Sequence, residues 1–324
     1  MEFKKLYDSS ELKQIVKNDL SSNMLNHAYL LCGQDEIYLS YLAKQFAKHV
    51  LCKNGGCNNC SVCLKIEKEI HSDVLVCPKN KDKGIVVEDA NSIVENAYVY
   101  PLEANKKIFI LNNFDLSTSQ AQNKLLKTLE EPPKTSMFII TSTNPSNILN
   151  TIKSRTKTVN VPLLKSEQVE QFILNNSELK NSQVVPYVAS SQGNLTKAVK
   201  IINDPDFLKI KELCLNTFLK LKDSGEILRY SSKILGYKNR VNEIFDEMSN
   251  VLLDLIYFKS NEQERVVNKD RISEFENSGF SIKALKIIYE NLLNAQNKLK
   301  SNCSVSAVVD GFLITMLEVK HKWK

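Results

Sequence analysis

A chain of 324 residues with 43% apolar side chains is long enough for two or three domains with sizeable cores. Its formal charge of +6 is spread along the chain, lysines mixed among acids, which permits a surface facing nucleic acid but equally describes ordinary solvated charge. The N-terminus MEFKKLYDSSELKQIVKNDL lacks a signal-peptide core, and the longest apolar run, VLLDLIYF, is too short and too charged to span a bilayer, so a cytoplasmic protein with no membrane segment is expected.

From about residue 28 to 162, short β-rich segments alternate with helical ones. The strand candidates are HAYLLCG, HSDVLVC, KKIFILNNF, SMFIITST and TKTVNVP. The third and fourth are apolar on both faces, as buried parallel strands are. Leu39, Leu42, Ala43, Phe46 and Val50 keep helical spacing after the first strand, capped by Asp35, and Ala121, Leu125, Leu126 and Leu129 do so after the third. This alternation predicts an α/β fold with a parallel sheet. Beyond Pro162 the strands stop. LKSEQVEQFILNN has an N-cap signal at Ser166, two short helices surround Gly193, and from Phe207 only amphipathic helices remain, broken near 223–225, 236, 268 and 279. The C-terminal third is predicted to be all-helical.

Of eight cysteines, Cys32, Cys77, Cys214 and Cys303 are scattered in apolar contexts and read as buried small hydrophobes. The other four, Cys52, Cys57, Cys60 and Cys63 in CKNGGCNNCSVC, have a C-x4-C-x2-C-x2-C spacing that lets four thiolates converge on one zinc, with Gly55 and Gly56 allowing the turn. A disulfide pair is the alternative, weaker in a reducing compartment. Four sulfur ligands leave no open position for water, so such a zinc is structural.

The stretch LLCGQDEIYLSYLAK leaves a strand and opens a helix, as a phosphate-binding loop does. A Walker A loop reads G-x4-G-K-[ST]. With Gly33 in first position, the second glycine is Tyr38, the lysine is Leu39, and only Ser40 matches. Lys44 cannot substitute, lying about 7.5 Å further along the helix on another face. After the strand IFIL, a Walker B site needs acids for magnesium and water, but Asn112 and Asn113 stand there. Both halves of a nucleotide site are degenerate, and no ATP is expected to bind this chain.

The run NNFDLSTSQAQNKLLKTLEEPP followed by SMFIITSTNPSNILNTIKSRT strongly resembles the AAA+ subunits of the bacterial DNA polymerase III clamp loader, with NKLLKTLEEPP its most specific piece. Within that family the gamma/tau motor subunits keep a working Walker A and another type does not; the resemblance is to the second type. It implies a RecA-like AAA+ domain over 1–163 with the cysteine module 52–63 inserted, a three-helix lid over 164–206, and a helical collar over 207–324 that joins motor and delta subunits in a ring. That ring opens the sliding clamp and places it on primed DNA. The resemblance also gives Ser154, Arg155 and Thr156 the place of the family's Ser-Arg-Cys motif, with Thr156 departing from it. Arg155, expected in an exposed loop, would then be an arginine finger directed at ATP held by a neighbour. TSTN, 141–144, matches the sensor 1 region, and GNLTKA puts Thr196 where the lid usually presents a second arginine. Two other readings stay open: an ATPase motor with an unconventional nucleotide site, and a zinc-module DNA-binding protein. Against the latter, LKIEKEI after Cys63 alternates acids with its lysines.

Overall fold

The computed structural model describes residues 3–323 except 9, 23, 80–82, 277 and 302. Five strands form one parallel sheet: β1 Ala28–Cys32, β2 Val74–Cys77, β3 Lys107–Leu111, β4 Ser136–Ser142 and β5 Lys157–Asn160, in the order β2-β3-β4-β1-β5. These are the five segments expected from sequence. β1, β3 and β4 are buried along their whole length, which is why they lack polar alternation, whereas the edge strands β2 and β5 are partly exposed. The register pairs Leu30 with Ile140 and Phe109 with Phe138, and the two phenylalanine rings stack with centroids 5.1 Å apart. On that face the helices Val87–Ala97 and Ser119–Glu130 supply Ala90, Ile93, Ala121, Leu125 and Leu129. On the other face Tyr29 meets Phe46 of the helix Glu36–Leu51 edge-on at 4.7 Å.

The sheet is a five-stranded parallel α/β sheet, and among the described residues only helices follow it. Two compact units emerge. The first comprises 1–176 together with 193–197, and the second 177–192 together with 198–324. The second is built on the helices Phe207–Lys220, Ser224–Leu235, Val241–Lys259, Ile282–Lys300 and Val305–Lys322, whose buried faces share one core around Phe218, Phe245, Leu252, Ile288 and Leu313. Within it, buried Glu247 accepts a hydrogen bond from Ser190 at 2.9 Å, and Lys211 donates to the same hydroxyl. Burial raises the carboxyl of Asp254 above its ordinary value, opposed by N–H bonds from Val267 and Asn268.

Three local expectations differ from the structure. Ser166 is not a cap but the first residue of the helix Ser166–Asn176, and the amide of Lys165 is satisfied instead by the Gln168 side chain at 3.0 Å. Cys303 is exposed and Cys77 half-buried, because the first follows the end of the helix Ile282–Lys300 and the second closes an edge strand; only Cys32 and Cys214 are buried as expected. Among the described residues, no helix is long and apolar enough to cross a membrane.

Candidate functional site: a closed phosphate loop, a cysteine cluster and a paired arginine

The turn after β1 is closed by the chain's own atoms. Gly33 is needed for close approach: a Cβ there would lie 2.8 Å from the Val161 carbonyl, and its N–H donates to Ser142. Asp35 caps the helix Glu36–Leu51 by accepting from the Tyr38 N–H at 3.2 Å. The same buried carboxylate accepts from the N–H groups of Leu195 and Thr196 and from the Thr196 hydroxyl at 2.8 Å. Thr196 Oγ1 in turn accepts from the Ile37 N–H at 3.0 Å, and Asn194 donates to the Gln34 carbonyl. The helix N-terminal amides that would hold phosphate are therefore occupied. Tyr38 and Leu39 are both buried, Tyr38 donating toward the Leu6 carbonyl, so neither side chain faces a ligand.

Asn112 and Asn113 lie at the mouth of a cleft of about 200 Å³ beside Ser40 and Lys44, below the range of about 300–1,000 Å³ usual for ligand pockets. Asn113 adopts a left-handed conformation at φ 49°, and its amide donates to the Glu36 carboxylate. Its N–H bonds to the Thr141 hydroxyl at 3.1 Å. Lys44 is turned to Glu69 at 2.7 Å, away from any phosphate role. The sensor-like loop is organised by buried Asp115, which accepts from Thr143 N–H and hydroxyl and from the Asn144 N–H.

The four clustered cysteines converge. Zinc–sulfur bonds of about 2.3 Å in a tetrahedron require sulfurs about 3.8 Å apart. Here Cys52 Sγ lies 3.7 Å from Cys57 Sγ and 3.7 Å from Cys60 Sγ, and all four fall within 4.8 Å of one another. These are not disulfide lengths. Gly55 and Gly56 take φ of 60° and 78°, and Asn58 φ 63°, to wrap the loop. Burial opposes the thiolate of Cys52, but N–H groups of Cys57, Asn54 and Gly56 outweigh it and bring the thiol down to about 6. Buried Lys48 ties the loop to its supporting helices, donating to Asn58 at 2.7 Å and to Glu67. The set can hold a metal ion, and its sulfur donors suit zinc.

Arg155 follows the short helix Asn150–Lys153 and precedes β5. It is not the exposed loop residue expected: its side chain is 30% accessible and folded back on the chain. Nη1 donates to the Thr151 carbonyl at 2.8 Å and lies 3.4 Å from the Ser154 hydroxyl, while Nη2 pairs with Glu130 at 3.0 Å. Thr156 donates to the Lys153 carbonyl at 3.2 Å and so closes the turn after the helix.

The structure thus brings Gly33, Tyr38, Leu39, Ser40, Asn112, Asn113 and Thr196 into one region, and the four cysteines into another. Sequence reasoning missed Asp35 beyond its capping role, along with Glu36, Asp115 and Lys48. Asp35 and Glu36 were visible as acids at a helix start; their partners 160 and 77 residues away were not.

Residues 8–165 match the family described as DNA polymerase III, delta subunit. Among curated relatives, the chain is 26% identical over 289 residues to DNA polymerase III subunit gamma of Buchnera aphidicola (Schizaphis graminum), covering 79% of this chain and 76% of the relative. It is 23% identical over 318 residues to DNA polymerase III subunit delta' of Bacillus subtilis, covering 94% and 95%. Among solved structures, a DNA polymerase III gamma subunit-related protein of Thermotoga maritima aligns over 99% of this chain and all of its own, at 17% identity and a TM-score of 0.42.

Proposed function

We propose that this chain is a non-hydrolysing, delta-prime-type subunit of a DNA polymerase III clamp loader, which binds no ATP itself and donates Arg155 to the nucleotide of a neighbouring gamma/tau motor subunit. One observation carries this reading: the Ile37 and Tyr38 N–H groups that would cradle phosphate are held by Thr196 and Asp35. A nucleotide would have to break four hydrogen bonds to a buried carboxylate and then find Leu39 in place of the charge-neutralising lysine. Such a subunit is part of the holoenzyme without being an ATPase. The four cysteines hold a structural zinc, residues 164–206 form a lid, and residues 207–324 form the collar that meets motor and delta subunits. Together the ring opens the sliding clamp and loads it on primed DNA.

The names of the relatives include both gamma and delta', so an ATP-using motor is the reading to test against. Calorimetry of the purified chain with ATP and magnesium is expected to show no binding, and micromolar affinity would refute the proposal. Mixing with motor and delta subunits is expected to give one complex by light scattering, with DNA-stimulated ATPase. Failure to enter that complex would equally sink the assignment.

A further inference from the structure

Arginine offers phosphate two parallel N–H bonds from the edge carrying Nε and Nη2. In this structure that edge is half used. Nη2 pairs with the Glu130 carboxylate, while Nε is buried without an acceptor among the described residues. The opposite edge is fixed by the Thr151 carbonyl and the Ser154 hydroxyl. Glu130 is the last residue of the helix Ser119–Glu130, and its side chain is 57% exposed.

We infer that Glu130 is a resting restraint on Arg155, a positioning carboxylate that an incoming phosphate must displace before the arginine can serve a neighbouring subunit. This rests on the finger role proposed above. The restraint is weak by design of its geometry: a one-point pair with a largely exposed partner is worth little in water. A phosphate that engages Nε and Nη2 together carries more charge and satisfies the N–H that Glu130 leaves bare. The exchange is therefore favourable when a nucleotide is presented correctly. When it is not, Arg155 returns to Glu130. The expected consequence is a brake on idle turnover and no effect on the engaged state.

The test uses complexes of equal composition assembled with motor and delta subunits. ATPase is measured with and without sliding clamp and primed DNA for wild type, Glu130→Gln, Arg155→Ala and the double variant. Glu130→Gln is expected to raise turnover without clamp and DNA by up to about fivefold. Turnover saturated with clamp and DNA should be unchanged, and the double variant should match Arg155→Ala. A merely structural role for Glu130 would not produce that non-additivity. Idle turnover at or below wild type in Glu130→Gln, with Arg155→Ala still impaired, overturns the restraint and leaves the finger reading standing. A rise that persists in the double variant also overturns it. Wild-type turnover in Arg155→Ala removes the finger reading, and the restraint with it.

Discussion

Two turns of the first unit are built in opposite ways. The turn 33–40 has its helix-start amides engaged: Asp35 and Thr196 accept from the N–H groups of Tyr38 and Ile37, and Asn113 is bonded to Glu36. The turn 154–156 keeps a guanidinium with one N–H bare and one exposed carboxylate partner. A satisfied, buried network resists change because every displaced partner leaves a desolvated group behind. A half-satisfied surface pair yields easily. In this chain the place that would receive a nucleotide is fixed, and the place that could reach another subunit's nucleotide is adjustable.

Removing Arg155 breaks the comparison most severely. Arg155→Ala should leave the fold and complex composition intact, because it deletes a half-exposed pair. If Arg155 is the finger proposed above, turnover at the neighbouring site should fall on the order of 10³ to 10⁵. Bulk ATPase will fall less where several motor sites operate, and clamp loading more, since one stalled site halts the cycle. Arg155→Lys should recover little, an ammonium lacking the planar fork. The measurement is clamp-loading rate at matched complex concentration; equality with wild type would reduce the subunit to scaffold.

The cysteine cluster tests whether the first unit's rigidity depends on a metal as well as on hydrogen bonds. Its wrapped loop carries three residues at positive φ, Gly55, Gly56 and Asn58. A metal held by these four sulfurs would contribute its binding free energy to folding. Cys60→Ser should release the ion and lower the melting temperature by roughly 10 °C, several kcal/mol at about 2–4 °C each. Stoichiometric zinc by elemental analysis in wild type is the accompanying expectation, and substoichiometric metal in protein purified without chelator would contradict it.

The strands were legible because central parallel strands are apolar on both faces, a pattern that needs no knowledge of partners: β1, β3 and β4 lie where continuous apolar runs put them. The departures of Tyr38, Leu39, Asn112 and Asn113 from the nucleotide motifs can be read directly from the sequence, since a motif with fixed register shows its own gaps. The closure of the turn cannot. Thr196 read as a missing arginine, while its hydroxyl accepts from Ile37 and donates to Asp35 across about 160 residues of sequence. The Arg155–Glu130 pair was hidden in the same way, by a loop and a strand between its partners. Cys303 shows the reverse error, an apolar context in sequence that does not become burial.

Opening the closed turn sharpens the comparison at smaller cost. Asp35→Ala removes a helix cap worth about 1 kcal/mol and leaves the buried N–H of Leu195 and the half-buried N–H of Thr196 without acceptors, at about 1–3 kcal/mol. A loss of roughly 2–4 kcal/mol by denaturant titration is expected, with faster amide exchange at Leu195 and Thr196. ATP should still fail to bind, because Leu39 remains. If binding appeared in Asp35→Ala, the carboxylate alone would be what excludes nucleotide.

The smallest effect asks whether a buried carboxylate holding several N–H groups needs any nucleotide ancestry at all. Asp73, fully buried just before β2, accepts from the N–H groups of Leu102, Glu103 and Ala104 at 2.7–2.8 Å and so fixes the loop entering β3. Burial works to raise its carboxyl, but the three N–H bonds outweigh it and hold the group below its ordinary 3.8. A lowered folded value means the unfolded chain binds the proton more tightly. The stabilisation is therefore complete above about pH 4 and is lost as pH falls through the folded value. Asp73→Asn keeps an acceptor without the charge, so it should cost about 1–2 kcal/mol at pH 7. That gap should narrow steadily below pH 4, as first the unfolded chain and then the folded wild-type carboxyl take up the proton. Unfolding titrations of both proteins from pH 3 to 7 make the comparison; a gap independent of pH would mean that shape, not charge, anchors the loop, and would weaken the same argument for Asp35.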